Sequence, residues 1–106
     1  MSTRILLIAH APLASALRDC ALHVFPDCAH AVIAVDVLPD ASPEESLQAA
    51  QLLLGNPLDQ DTLVLTDVFG ATPSNVAKRL VSGMQSRLIA GVNLPILRRV
   101  ILNPLL

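Results

Sequence analysis

The feature that most constrains the fold of this chain is a regular alternation of short apolar runs with segments of helical pattern. Strands are predicted at the apolar runs, which cover residues 5–9, 30–38, 62–66 and 87–92. A segment long enough to form a helix follows each of these runs. Because parallel strands require long crossovers, whereas antiparallel strands are joined by short hairpins, the alternation predicts a parallel α/β sheet.

Residues typical of helix N-termini stand at the start of each helical segment. Proline loses no hydrogen bond in the first turn, and a Ser-x-x-Glu capping box satisfies free N–H groups. These starting residues are Pro12, Ser42 with Glu45, Thr72 with Pro73, and Asn93 with Pro95. The first helix has a predicted apolar face of Leu13, Leu17, Cys20, Ala21 and Val24, which places Cys20 in the core.

Right-handed crossovers leave few strand orders for such a chain. The order 2-1-3-4 places strands 1 and 3 side by side, and ligands bind in the gap between the helices that follow such strands. We therefore predict a doubly wound α/β fold with a four-stranded parallel sheet in the order 2-1-3-4 and helices on both faces. His10 follows strand 1 and Asp67 follows strand 3, so these residues are expected to face each other. Asp36 and Asn93, which also lie near strand ends, are further candidates for this rim.

Size and composition exclude several classes of protein. The 106 residues suffice for a single domain, predicted over residues 1–106, and 53% of them are hydrophobic but only 2% aromatic. A net charge of -2 and the absence of Trp and Tyr argue against nucleic-acid binding. The apolar runs are shorter than the ~20 residues of a membrane helix, and the N-terminus has no signal-peptide pattern. We therefore expect a cytoplasmic protein without membrane insertion.

The cysteines and the other histidines give no indication of a metal or cofactor site. Cys20 and Cys28 lack CxxC spacing and a histidine at ligand spacing, so neither a disulfide nor a zinc site is predicted. His23 falls on the polar side of the first helix and His30 at the start of a strand, so both are expected at the surface. No metal and no cofactor is implied.

His10 and Asp67 are the candidate catalytic residues. A carboxylate that accepts a hydrogen bond from one imidazole nitrogen fixes the tautomer and leaves the other nitrogen as a nucleophile or base. Gly70, Ala71 and Thr72 form a candidate phosphate-binding loop, because glycine allows close backbone approach and the free N–H groups of the following helix bind anions. Without such partners, His10 is an ordinary solvated side chain and Thr72 only marks the start of a helix.

Three segments of the chain resemble a known family. They read Ile-Leu-Leu-Ile-Ala-His-Ala-Pro-Leu-Ala over residues 5–14, Thr-Asp-Val-Phe-Gly-Ala-Thr-Pro-Ser-Asn-Val-Ala over 66–77, and Ile-Ala-Gly-Val-Asn-Leu-Pro-Ile-Leu over 89–97. Together they resemble the enzyme IIA domain of the mannose-type (mannose/fructose/sorbose) bacterial phosphoenolpyruvate-dependent sugar phosphotransferase system. The resemblance extends over essentially the whole chain, and that family has the strand order 2-1-3-4.

The resemblance implies a phosphotransferase that works through a phosphohistidine. His10 would accept a phosphoryl group from the histidine-containing phosphocarrier protein and pass it to a histidine on a IIB component. Asp67 would orient His10, and Thr72 would help to hold the phosphoryl group. Family members usually form a homodimer through a C-terminal helical region and an exchanged strand, and we expect this single IIA-like domain to lack that extension.

Other functions remain open at this point. One is a regulatory binding module whose affinity for a partner changes when His10 is phosphorylated, without sugar transport. Another is a small hydrolase with His10 as base and Asp67 as its orienting group, but Ser15 and Cys20 lie further into the first helix than a nucleophile should. A scaffold or dimerisation domain would use none of these residues chemically.

Overall fold

The structure of this protein, a computed structural model, describes residues 4–29, 31–54, 62–67, 72–81, 86–89 and 91–102. Its strands are β1 (Arg4–His10), β2 (Val32–Val37), β3 (Thr62–Thr66) and β4 (Ser86–Ile89). Its helices are α1 (Leu13–Val24), α2 (Pro43–Leu54), α3 (Thr72–Val81) and α4 (Leu94–Leu102), with a 3₁₀ turn at Pro26–Cys28. Strands and helices alternate along the chain as the sequence predicts.

The described strands form a parallel sheet in the order β2-β1-β3-β4. β1 lies inside it, so that Ile8 pairs with Val35 of β2 on one side and with Thr66 of β3 on the other. The predicted α/β fold with a parallel sheet is confirmed. β4 pairs with β3 and spans Ser86–Ile89, whereas the predicted strand covered residues 87–92. Gly91 has a φ of 82°, which glycine adopts without strain.

Alternate residues of β1 point to opposite faces of the sheet, and a pair of helices covers each face. Ile5, Leu7 and Ala9 pack with buried residues of α1 and α4. Leu6 and Ile8 pack with buried residues of α2 and α3. All of these side chains are at most 3% exposed, so helices do cover both faces. A strand buried in this way holds its last residue at a fixed position on the edge of the sheet.

The face of α1 that packs on the sheet agrees with the predicted one at Leu17 and Ala21 and differs from it at the other positions. It consists of Ala14, Leu17 and Ala21. The prediction that Cys20 lies in the core is wrong, because its side chain is exposed, and Leu13 and Val24 are likewise exposed by 37% and 57%. The predicted face combined two adjacent stripes of the helix. The stripe with two alanines lies against the sheet, because small side chains let the helix backbone approach it closely.

Side chains satisfy the ends of α2 and the start of α4. Ser42 Oγ accepts a hydrogen bond from the backbone N–H of Glu45 at 3.1 Å, as the capping box predicts, and Arg4 Nη1 donates to the last carbonyl of α2. Asn93, a sequence candidate for the rim, caps α4, because its Oδ1 accepts the N–H of Ile96 at 2.9 Å. Asn93 therefore has a local structural role.

Candidate functional site

His10 is the last residue of β1 and the first exposed one after a buried run. Its side chain is 53% exposed, whereas Asp67, which directly follows β3, is only 10% exposed. Because Ile8 pairs with Thr66 in parallel register, the ends of the two strands reach the same edge of the sheet. The structure thus brings together the two residues that the sequence analysis placed at the gap between strands 1 and 3.

The contact between them is a direct hydrogen bond between side chains. The distance from His10 Nδ1 to Asp67 Oδ2 is 2.8 Å, and the same oxygen accepts the backbone N–H of His10 at 3.1 Å. Since a carboxylate oxygen accepts, the neutral imidazole carries its proton on Nδ1. The lone pair is then on Nε2, which is the nitrogen available to attack an electrophile or to accept a proton.

The chain that follows His10 is attached to the end of β2. The backbone N–H of Ala11 donates to the carbonyl of Val37 at 3.0 Å, and a cis peptide bond joins Ala11 to Pro12. Pro12 is the N-cap of α1 rather than a residue of its first turn, and its carbonyl accepts the N–H of Ala16 at 3.0 Å. Proline has no side-chain acceptor, so the first N–H groups of α1 must find partners elsewhere.

Asp36 of β2 supplies one of these partners. Its Oδ1 accepts the backbone N–H of Ser15 at 3.1 Å, and its Oδ2 accepts the hydroxyl of Ser15. The sequence predicts Asp36 at the rim but does not predict its contact with Ser15. No local sequence pattern indicates this contact, because it joins the start of α1 to a strand whose position relative to the helix is set by packing.

Of the candidate phosphate-binding residues, the described part of the chain contains only Thr72. Gly70 and Ala71 lie outside the described residues. Thr72 is the half-buried first residue of α3, one position later in the helix than the predicted cap. Position 10 shares a face of the sheet with Leu6 and Ile8, which is the face that α2 and α3 cover. The N-terminus of α3 is therefore on the same side of the sheet as the His10 side chain.

Thr66, which precedes Asp67, is a feature that the sequence analysis missed. The residue is fully buried, and among the described residues its Oγ1 has no hydrogen-bond partner. Such a group costs about 1–3 kcal/mol relative to a satisfied one. The apolar run of strand 3 predicted burial here, but a sequence pattern does not reveal whether a hydroxyl finds a partner.

His23 and His30 are the other two histidines, and both are expected at the surface. His23 is exposed on α1, as predicted; His30 lies outside the described residues, and so does the side chain of Cys28. Within the described ranges, no cluster of at least three His, Cys, Asp or Glu residues could hold a metal ion. In the same ranges, no helix has the length and apolar character needed to cross a membrane.

This arrangement can perform nucleophilic or general-base chemistry at Nε2 of His10. For a hydrolase, a hydroxyl or thiol should lie beside that nitrogen. The hydroxyl of Ser15 instead bonds to Asp36, and Cys20 is on an exposed part of α1. The hydrolase hypothesis therefore receives no support from these residues, whereas direct attack by the imidazole needs only the groups already in contact.

Comparison with known families gives a match over nearly the whole chain. Residues 4–103 match the family EIIA-man, described as "PTS system fructose IIA component". A comparison with proteins of curated function gave no match.

Solved structures show the same fold. The mannose/sorbose specific IIA subunit of the phosphotransferase system from Enterococcus faecalis is 24% identical, with a TM-score of 0.87 over 99% of this chain and 80% of that one. The phosphotransferase system component EIIA from Streptococcus agalactiae is 22% identical, with a TM-score of 0.81 over 97% and 79%. The PTS IIA protein associated with the fucose utilization operon from Streptococcus pneumoniae is 23% identical, with a TM-score of 0.70 over 97% and 79%.

Proposed function

The chain belongs to the family of PTS fructose IIA components, of the mannose type, and we propose that it carries a phosphoryl group on His10. In this proposal His10 accepts the group from the histidine-containing phosphocarrier protein and passes it to a histidine on a IIB component. The observation that carries the proposal is the 2.8 Å contact between His10 Nδ1 and Asp67 Oδ2. It supports a ring whose nucleophilic atom is Nε2 and whose other nitrogen is already paired.

The transfer step follows from this tautomer. The lone pair of His10 Nε2 attacks the phosphorus of the donor's phosphohistidine, the donor N–P bond breaks, and its electron pair returns to the donor nitrogen. His10 keeps the proton on Nδ1, so no proton has to be removed during the step. The ring gains positive character as the new bond forms, and the carboxylate of Asp67 stabilises it. Transfer to the IIB component is the same step in reverse.

The incoming phosphoryl group needs a site for its negative charge. The N-terminus of α3, which begins at Thr72 on the same side of the sheet as His10, has N–H groups without partners inside the helix and the positive end of the helix dipole. We assign the Thr72 hydroxyl and the loop of Gly70 and Ala71 to this role. Phosphoryl transfer depends mainly on positioning and charge stabilisation, and this helix start supplies both.

This role determines the partners and the compartment that we propose. The phosphocarrier protein and the IIB component bind in turn over His10, and the protein works in the cytoplasm, where both of them act. The sugar is not encoded in this site, because only a phosphoryl group passes through it.

The test is phosphorylation in a reconstituted system. Enzyme I, the phosphocarrier protein and radiolabelled phosphoenolpyruvate should label the protein with an acid-labile phosphate. His10→Ala should abolish the label, while His23→Ala, which alters an exposed histidine on α1, should label at the rate of the unaltered protein. Equal labelling of the His10→Ala variant would refute the proposal.

A second stage separates transport from regulation. Addition of a mannose-type IIB component should transfer the labelled phosphoryl group from the protein to IIB. Label that stays on His10 in the presence of several such IIB components would favour the regulatory binding module instead. The phosphorylated and unphosphorylated forms would then be compared for binding to cellular proteins.

A further inference from the structure

The start of α1 is held by a residue of another strand. Pro12 has no side-chain acceptor, and Asp36 of β2 takes its place by accepting both the N–H and the hydroxyl of Ser15. Asp36 pairs in register with Ala9, the residue directly before His10. The carboxylate that caps α1 therefore lies beside the strand end that carries the imidazole.

The short segment from His10 to Ser15 is attached at both of its ends. At the first end, the N–H of His10 donates to Asp67 and the N–H of Ala11 donates to Val37. At the second end, Ser15 is held by the two oxygens of Asp36. A segment fixed at both ends has few conformations left, so the backbone position of His10 depends on the attachment of α1 as well as on β1.

We propose that Asp36 and Ser15 are a positioning pair for the His10 imidazole. They act through the backbone, because Ala9 and its partner Asp36 point to the face of α1 and α4, whereas the side chain at position 10 points to the opposite face. Asp67 fixes the ring directly, and Asp36 fixes the helix to which the ring's backbone is joined. The effect of the pair on transfer rests on the proposed function, but its effect on the ring does not.

The physical basis is that transfer requires Nε2 in line with the bond that breaks. A displacement of about 1 Å costs roughly 100-fold in rate, so even modest freedom at the start of α1 is expected to matter. Asp36 is half-buried, and hydrogen bonds to a charged carboxylate in such a place are stronger than neutral ones. The two hydrogen bonds that Asp36 accepts from Ser15 restrain both the position and the direction of the start of α1.

A merely structural role makes a different prediction. If Asp36 only stabilised α1, its loss would lower the unfolding temperature but leave the ring of the folded protein unchanged. Ser42→Ala is the matched control, because it removes a helix cap of the same kind from α2, where Ser42 Oγ accepts the N–H of Glu45 at 3.1 Å. All measurements are made well below the unfolding temperature of every variant.

The experiment has one readout that needs no transfer. In the protein with isotope-labelled histidine, the imidazole N–H signal of His10 reports the Nδ1 contact with Asp67. Asp36→Ala should broaden or shift this signal, Ser15→Ala should do so to a smaller degree, and Ser42→Ala should leave it unchanged. Asp36→Asn keeps an acceptor for the N–H of Ser15, so it should restore most of the signal.

The second readout is phosphorylation by phosphoramidate, a small donor that requires no protein partner. We expect labelling of His10 to be slowed about tenfold in Asp36→Ala and about threefold in Ser15→Ala. An unchanged imidazole signal and an unchanged rate in folded Asp36→Ala would overturn the inference. If the unaltered protein takes label from no donor, the proposed function fails, and the imidazole signals alone decide the positioning role.

Discussion

β1 lies between β2, which contains Asp36, and β3, which Asp67 directly follows, and the two carboxylates bind the chain around His10 in similar ways. Asp67 accepts the backbone N–H of His10 at 3.1 Å and its Nδ1 at 2.8 Å. Asp36 accepts the backbone N–H of Ser15 at 3.1 Å and its hydroxyl. One carboxylate holds a ring that can react and the other holds a helix. The role of an aspartate at this edge is therefore set by the group that donates a hydrogen bond to it. Position in the strand alone does not distinguish the role of Asp67 from that of Asp36.

The largest expected difference between the two aspartates is in the rate of transfer. Asp67→Asn removes the negative charge that stabilises the Nδ1 proton as the ring gains positive character. We expect the initial rate of labelling by phosphoramidate to fall about 100-fold. Asp36→Asn should remain within a few-fold of the unaltered protein, because it keeps an acceptor for the N–H of Ser15.

Equal losses in the two variants would break the comparison. They would show that Asp36 also acts on the ring by its charge, and that the distinction between orienting a ring and anchoring a helix does not hold. If neither variant lowered the rate of labelling, Asp67 would have no part in the proposed chemistry.

A smaller effect, on stability, is expected at the other attachment of α1 to β2. Arg18 Nε donates to the carbonyl of Val32 at 2.8 Å, and its Nη2 donates to the carbonyl of Ala29 at 2.9 Å. Arg18→Met keeps the stem and removes both bonds, which should lower the free energy of unfolding by about 1–2 kcal/mol. Urea unfolding measures this loss.

The same variant sharpens the comparison at the ring. Arg18 binds the start of β2, at the opposite end of that strand from Val37, so the imidazole signal of His10 should be unchanged in Arg18→Met. If the signal changed as much as in Asp36→Ala, any loosening of α1 would disturb the ring. Asp36 and Ser15 would then have no special positioning role.

The fold and the central pair were predictable because they follow from local patterns. Apolar runs, helix starts and crossover lengths predicted the parallel sheet, and the parallel pairing of β1 with β3 then brought His10 and Asp67 together. The positions of His10 and Asp67 in the chain differ by 57 residues, yet each directly ends or follows a buried strand. A residue at the end of a strand has its location fixed by the sheet, which is why this contact could be predicted.

The rest depends on packing between elements, which a local pattern does not specify. On α1, apolar residues at adjacent positions are compatible with two different buried faces. The face that packs on the sheet is the one that contains Ala14 and Ala21, so Cys20 is exposed. The contact of Ser15 with Asp36 joins a helix to a strand whose relative position is set only when both pack. The roles assigned to Gly70 and Ala71 stay predictions, because those residues lie outside the described part of the chain.

The smallest predicted effects are changes in stability at two buried threonines of β3. Thr66 lies at the end of the strand next to Asp67, and Thr62 lies at the opposite end. Thr66 Oγ1 has no partner among the described residues, whereas Thr62 Oγ1 accepts a hydrogen bond from Arg4 Nη2 at 3.5 Å. Valine has the shape of threonine without the hydroxyl, so Thr66→Val should raise the free energy of unfolding by up to about 1 kcal/mol. Thr62→Val should lower it by a similar amount, because the half-buried guanidinium of Arg4 loses an acceptor. Urea unfolding of both variants tests the pair, and a loss of stability in Thr66→Val would mean that its hydroxyl does have a partner at the base of the site.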